Sequence, residues 1–149
     1  MISYDKKLLC LVIWMTIDPT AIIDVKVRDI MTERVITVES SRTVKEAVDK
    51  MVEKDIECLP VIRNGLLCGL ITFRDIIIKA IYMKKNINET NVEEIMTRSV
   101  ITCSSDTTVL KIVKLMKDKH LRRLPVVETN NKIVGIVTDF DLAIFGWKI

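Results

Sequence analysis

The chain has 149 residues, 49% of them apolar and 29% charged, and 23 Lys+Arg against 20 Asp+Glu give a net charge of +3. That length suits one ordinary domain or two small halves sharing a core, and the near-balanced charge argues against both intrinsic disorder and the concentrated basic face of a nucleic-acid binder. One His, four Gly and 5% aromatics leave little room for metal-dependent chemistry, glycine-loop chemistry or base-stacking platforms.

The longest apolar run, residues 8–17 (LLCLVIWMTI), follows Lys6 and Lys7. A membrane span needs about 18 or more apolar residues, so this run is too short to cross. It has the charged and apolar regions of a signal peptide, but no A-x-A-like cleavage site follows and Asp18-Pro19 ends it. Two other readings stay open: a natural start at Met15, or an added strand or helix that covers an edge or pairs with a partner. Residues 1–24 are therefore expected to form a separate, non-membrane segment. None of Cys10, Cys58, Cys68 and Cys103 stands in C-x-x-C spacing, which removes the basis for a zinc ribbon or redox centre. Three of them sit in apolar runs, where free cysteine behaves as a small hydrophobe, so reduced thiols in a cytoplasmic protein are expected.

From residue 27 the chain says the same thing twice. Val27, Ile30, Met31, Thr32, Val35, Ile36 and Thr37 recur as Val92, Ile95, Met96, Thr97, Val100, Ile101 and Thr102. Leu59-Pro60-Val61 returns as Leu124-Pro125-Val126; after one extra residue in the second hairpin, Gly69, Thr72 and Asp75 are answered by Gly135, Thr138 and Asp141. Such internal repetition fixes the architecture before any single motif does.

Each copy reads as strand, helix, hairpin, helix. Residues 35–38 and 100–102 are short β-branched strands. Thr43 opens a helix with Glu46 three residues on, a capping box, and Val44, Ala47, Val48, Met51 and Val52 mark its buried face at helical spacing. Val109, Ile112, Val113 and Met116 repeat that face after Asp106. Asn64-Gly65 between apolar runs is a strong hairpin signal, and Asn130-Asn131 stands in its place in the second copy. Short helices close the copies, from Phe73 to about Ile81 and from Asp139 to about Phe145. A unit of about 50 residues is marginal alone, so two copies are expected to pack sheet to sheet about a pseudo-two-fold axis, an α+β fold. Residues 25–81 and 92–149 are the two units, and the polar residues 82–91 link them.

The order D-I-M-T, V-I-T-V, LPV, G-L-I-T-F-R-D, present in duplicate, resembles the cystathionine-β-synthase (CBS) domain, and the pair resembles a Bateman module. The resemblance covers residues 25 to about 145. It implies that clefts between paired units bind adenosine-containing ligands such as AMP, ADP, ATP or S-adenosylmethionine. The signature G-h-h-T-x-x-D, with h apolar, reads Gly69-Leu70-Ile71-Thr72-Phe73-Arg74-Asp75 and Gly135-Ile136-Val137-Thr138-Asp139-Phe140-Asp141. An ionised Asp presents two acceptor oxygens suited to both hydroxyls of a ribose, and the Thr hydroxyl adds a donor-acceptor beside it. The same T-x-x-D is also a plain helix cap.

The copies differ before LPV. The second carries Lys119-His120-Leu121-Arg122-Arg123 where the first has Lys54-Asp55-Ile56-Glu57-Cys58. The resemblance gives Arg122 and Arg123 the phosphates, a role that suits the planar guanidinium fork; Glu57 would repel them. The better site is thus expected at Thr138, Asp141, Arg122 and Arg123, and the second at Thr72, Asp75 and Arg74. Val35, Thr37, Ile56, Cys58 and Ile136 are candidates to lie against adenine, and His120 either reaches a phosphate or complements a helix C-terminus.

No Walker-type loop, no G-x-S-x-G elbow and no His-carboxylate cluster points to catalysis. The expected function is a non-catalytic regulatory module that senses an adenine nucleotide, forms a homodimer of paired units, and signals to an effector protein. It carries no metal and no cofactor beyond that ligand. S-adenosylmethionine as ligand, whose sulfonium would avoid Arg122 and Arg123, is one alternative; a ligand-free protein-interaction module is the other.

Overall fold

The computed structural model describes Thr20 and residues 23–147. The apolar run at residues 8–17, with Cys10 and Met15, lies outside them. The first repeat contributes β1 (Val38–Glu39), α1 (Val44–Glu53), β2 (Cys58–Arg63), β3 (Leu66–Thr72) and α2 (Phe73–Ile76), which widens into a π-helical turn over Ile77–Ile81. The second contributes α3 (Val92–Ile95), α4 (Val109–Lys119), β4 (Arg123–Val127), β5 (Ile133–Thr138) and α5 (Asp139–Trp147). Mixed α+β architecture in two repeats is what the sequence led us to expect.

Local chemistry accounts for most of these boundaries. The Thr43 hydroxyl accepts from the Glu46 amide at 3.2 Å, and the Glu46 carboxylate accepts from the Thr43 amide at 2.8 Å, so the α1 cap is reciprocal. Asn64 and Gly65 both adopt positive φ (53° and 77°), as a two-residue hairpin turn matched to strand twist requires. β2 and β3 pair antiparallel from Cys58↔Thr72 to Arg63↔Leu66. Asn130 and Asn131 take the left-handed positions of the second hairpin, which asparagine tolerates.

Two expectations change. The first strand of each repeat is shorter than residues 35–38 and 100–102 suggested: only Val38–Glu39 pairs, parallel to Val61 and Ile62, and the second copy keeps a single parallel bridge, Cys103↔Val126. Val52 is 69% exposed, because at 100° per residue it lies roughly 80° round α1 from Val44 and off the core face. Ile76 is buried with the core, whereas Ile77, Ile78 and Ile81 are exposed.

The chain divides into two compact units that cut across the repeats. One is Arg34–Ile101 with Glu128–Ile133; the other joins residues 23–33 to Thr102–Val127 and residues 134–147. Each repeat's leading segment therefore serves the other repeat's hairpin. In the first-repeat unit Thr97 pairs with Leu70 through two backbone hydrogen bonds (2.8 and 2.9 Å). In the second-repeat unit Thr32 pairs with Ile136 in the same way (2.9 and 3.0 Å). Each unit has its own core: Val44, Met51, Leu59, Ile71 and Ile95 are wholly or almost wholly buried in one, Val27, Val109, Ile112, Leu124 and Val137 in the other.

This exchange explains the signature glycines. A Cβ on Gly69 would collide with the Met96 sulfur and stand 3.1 Å from the Thr97 carbonyl oxygen; on Gly135 it would meet the Met31 sulfur and the Thr32 carbonyl oxygen at 3.2 Å. The glycines admit the crossing segment.

Candidate functional site

Both T-x-x-D motifs form reciprocal caps at a strand-to-helix junction. In the second-repeat unit the Thr138 amide and hydroxyl donate to Asp141 Oδ2 at 2.8 and 2.7 Å, and the Asp141 amide donates to Thr138 Oγ1 at 3.2 Å. Thr72 and Asp75 repeat the pattern at 3.0, 2.8 and 3.2 Å. Capping therefore consumes one carboxylate oxygen of each Asp and leaves the other, Oδ1, for something else.

What meets Oδ1 differs between the units. Asp75 Oδ1 receives the Lys79 ammonium at 2.7 Å and the Thr97 hydroxyl at 3.4 Å, and the Asp75 side chain is only 13% exposed. No described residue makes a hydrogen bond or ion pair to Asp141 Oδ1. Lys79 and Thr97 are the participants that the motif search missed. The available signal was position-by-position comparison past the motif, where Lys79 in one repeat faces Phe145 in the other.

The basic pair sits beside the Asp141 cap. The Asp139 amide donates to the Arg122 carbonyl oxygen at 2.9 Å, tying the residue before β4 to the first turn of α5. The Arg122 guanidinium in turn donates to Asp139 Oδ2 at 2.9 Å, across side chains 47% and 25% exposed. A solvent-accessible pair of this kind contributes little and can exchange partners. Arg123 opens β4 and is partly buried. The first-repeat unit has Glu57 and Cys58 at these places, the Phe73 amide donating to the Glu57 carbonyl oxygen at 3.1 Å.

The remaining candidates separate. Ile136 offers its half-buried side chain alone, since both its backbone groups are spent on Thr32. His120 is the left-handed C-cap residue of α4 (φ 53°), with its amide on the Lys117 carbonyl oxygen. Arg74 is exposed on α2. Val35, Thr37, Ile56 and Cys58 all belong to the first-repeat unit; the Thr37 carbonyl accepts from Lys50 Nζ at 2.8 Å, and Ile56 packs on that unit's core. Cys68 and Cys103 are free thiols. Burial pushes the Cys103 thiol up to about 11 and raises that of Cys68 as well. An open hollow of about 640 Å³ lies elsewhere on the first-repeat unit, among Ser40, Arg63, Glu93 and Arg98. Its charges answer one another, Arg63 pairing with Glu93 and Arg98 donating to the Glu93 carbonyl oxygen at 2.8 Å. Among the described residues no cluster of His, Cys, Asp and Glu is arranged to hold a metal, and no helix is long and apolar enough to cross a membrane.

A family model for the CBS domain matches residues 27–81 and again 92–146. The chain belongs to the CBS domain family. It is a CBS pair, a regulatory module. It is 39% identical over 119 residues to the uncharacterized protein MK0525 of Methanopyrus kandleri, covering 79% of this chain and 61% of that protein. Other relatives are longer still: the CBS pair here spans 40% of the MJ1232 protein of Methanocaldococcus jannaschii and 23% of a homoserine O-acetyltransferase from Methanohalobium evestigatum. Among solved structures, the CBS domain pair of protein MJ0100 in complex with 5′-methylthioadenosine and S-adenosyl-L-methionine matches with TM-score 0.74 at 36% identity, over 83% of this chain and 98% of that one. CBSX2 in complex with AMP matches with TM-score 0.73 at 27% identity, over 83% and 97%.

Proposed function

We propose that this CBS pair is a non-catalytic regulatory module that binds an adenine nucleotide (AMP, ADP or ATP), with the second-repeat unit as the principal site. Asp141 Oδ1 and the Thr138 hydroxyl take the ribose hydroxyls, and Arg122 and Arg123 take the phosphate, Arg122 exchanging Asp139 for it. Ile136 lies against the adenine. The observation that carries this reading is that no described residue bonds to Asp141 Oδ1: capping orients the carboxylate and spends only half of it, so a ligand meets an acceptor already in place. An arginine pair one backbone hydrogen bond away supplies the charge that a phosphate needs.

A second reading, S-adenosylmethionine as the ligand, is favoured by the solved pair at 36% identity that holds it. It uses the same ribose grip, and its sulfonium gains nothing from Arg122 and Arg123. In both readings ligand binding shifts the module toward the state that binds it better. The exposed Ile77, Ile78 and Ile81 at the end of the first repeat suit a homodimer face. The thiols of Cys68 and Cys103 suit a cytoplasmic protein that signals to an effector. A thermal-shift panel of AMP, ADP, ATP and S-adenosylmethionine tests the whole reading, since a ligand held only by the native form raises Tm. The nucleotide reading expects AMP, ADP or ATP to give the larger shift, and silence from all four removes it.

A further inference from the structure

The two T-x-x-D carboxylates are alike in their caps and unlike in their second oxygen, and one side chain makes the difference. Lys79 lies one helical turn beyond Asp75, in the π-helical turn that continues α2. Its ammonium reaches Asp75 Oδ1 at 2.7 Å, the Ile95 carbonyl oxygen at 3.0 Å and the Thr97 hydroxyl at 3.5 Å. A lysine has three N–H donors, and here three acceptors surround it. Two of them lie on the leading segment of the second repeat, so Lys79 staples that segment to the carboxylate. In the second-repeat unit Ile30, Thr32 and Asp141 answer Ile95, Thr97 and Asp75, but Phe145 stands where Lys79 would be and packs into the core.

We infer that Lys79 is a built-in occupant of the first-repeat site: its ammonium takes the carboxylate oxygen that a ribose would need, so the chain binds one adenosine-containing ligand, at Asp141, rather than two. This rests on the ribose-binding reading of T-x-x-D given above and deepens it. A neutral hydroxyl competing for Asp75 must displace a charge-assisted bond from a carboxylate that is mostly removed from water, and it leaves the ammonium without its partner. Among the described residues no such competitor stands at Asp141. The inequality is therefore set by the residue one turn past the motif, on top of the exchange of Arg122-Arg123 for Glu57-Cys58.

The test is calorimetric titration of the full chain with adenosine and with AMP, read as moles bound per mole of chain. With adenosine, which has no phosphate for Glu57 to repel, the wild type is expected to bind one, the Lys79→Met chain two, and Lys79→Met with Asp75→Asn one again. Methionine suits the position because the other repeat carries an apolar side chain there, and Tm reports that each variant is folded. The reverse variant, Phe145→Lys, should close the second-repeat site and abolish binding. Two adenosines per wild-type chain, or one per folded Lys79→Met chain, overturns the inference while the ribose reading stands. Unchanged binding by Asp141→Asn overturns the ribose reading itself, and no binding by either the wild type or Lys79→Met overturns both.

Discussion

Thr138 and Asp141 hold each other through one carboxylate oxygen, Oδ2, which accepts the Thr138 amide at 2.8 Å and its hydroxyl at 2.7 Å. In the proposed reading, a helix cap and a ligand contact are divided between the two oxygens of one residue. The division predicts that the two roles separate on mutation. Asp141→Asn keeps an acceptor for the cap but loses the charge, so it should stay folded near the wild-type Tm and weaken AMP or S-adenosylmethionine by roughly 10- to 100-fold, the worth of about 1.5–3 kcal/mol for bonds to a charged group. Asp141→Ala should lose the same affinity and a further ~1 kcal/mol of stability with the cap. Denaturant melts alongside titrations distinguish them.

The arginines should discriminate by phosphate. Arg123→Ala is expected to weaken AMP roughly tenfold or more and adenosine hardly at all, because only the phosphate gains from a guanidinium. Equal losses for the two ligands would show that Arg123 does not meet the phosphate. Arg122→Ala removes the Asp139 pair as well, and because that pair is solvent-accessible, stability should fall by less than about 1 kcal/mol.

The glycines should prove structural. Gly135→Ala and Gly69→Ala each push a methyl group into the methionine of a crossing segment, Met31 or Met96. Overpacking of this kind costs about 1–3 kcal/mol, visible as a lower denaturant midpoint without ligand. A stable Gly135→Ala chain that failed only in ligand binding would contradict the assignment.

Much of this was legible in the sequence because it is local. The Thr43–Glu46 cap, the Asn64-Gly65 turn and the spacing of Val109, Ile112, Val113 and Met116 each involve neighbours in the chain, and each formed where the residue chemistry placed it. Residues 35–37 show the limit: β-branched residues favour extended backbone, but a strand also needs a partner, and only Val38–Glu39 finds one beside β2. The exchange of leading segments was hidden for another reason. Aligning Thr32 with Thr97 reveals that they are equivalent, yet says nothing of which hairpin each will join. Lys79 was missed because the motif ends at Asp75 and the lysine has no counterpart in the other copy.

The thiols offer a check on the second-repeat core. Burial holds Cys103 near 11, well above the ordinary thiol range, so at pH 8 almost none of it is thiolate, the reactive form. Cys103 is expected to label far more slowly than the partly exposed Cys68 with a thiol reagent on the native chain, and both should label readily once denatured. Rapid native labelling of Cys103 would show that this core opens.

The central claim is that the T-x-x-D carboxylate grips the vicinal hydroxyls of a ribose. Parallel calorimetric titrations of the full chain with AMP and with 2′,3′-dideoxy-AMP test it most directly, because the two ligands differ only in those hydroxyls. Saturable AMP binding that weakens at least tenfold in the dideoxy compound is the predicted result; equal affinity for the two would contradict the account.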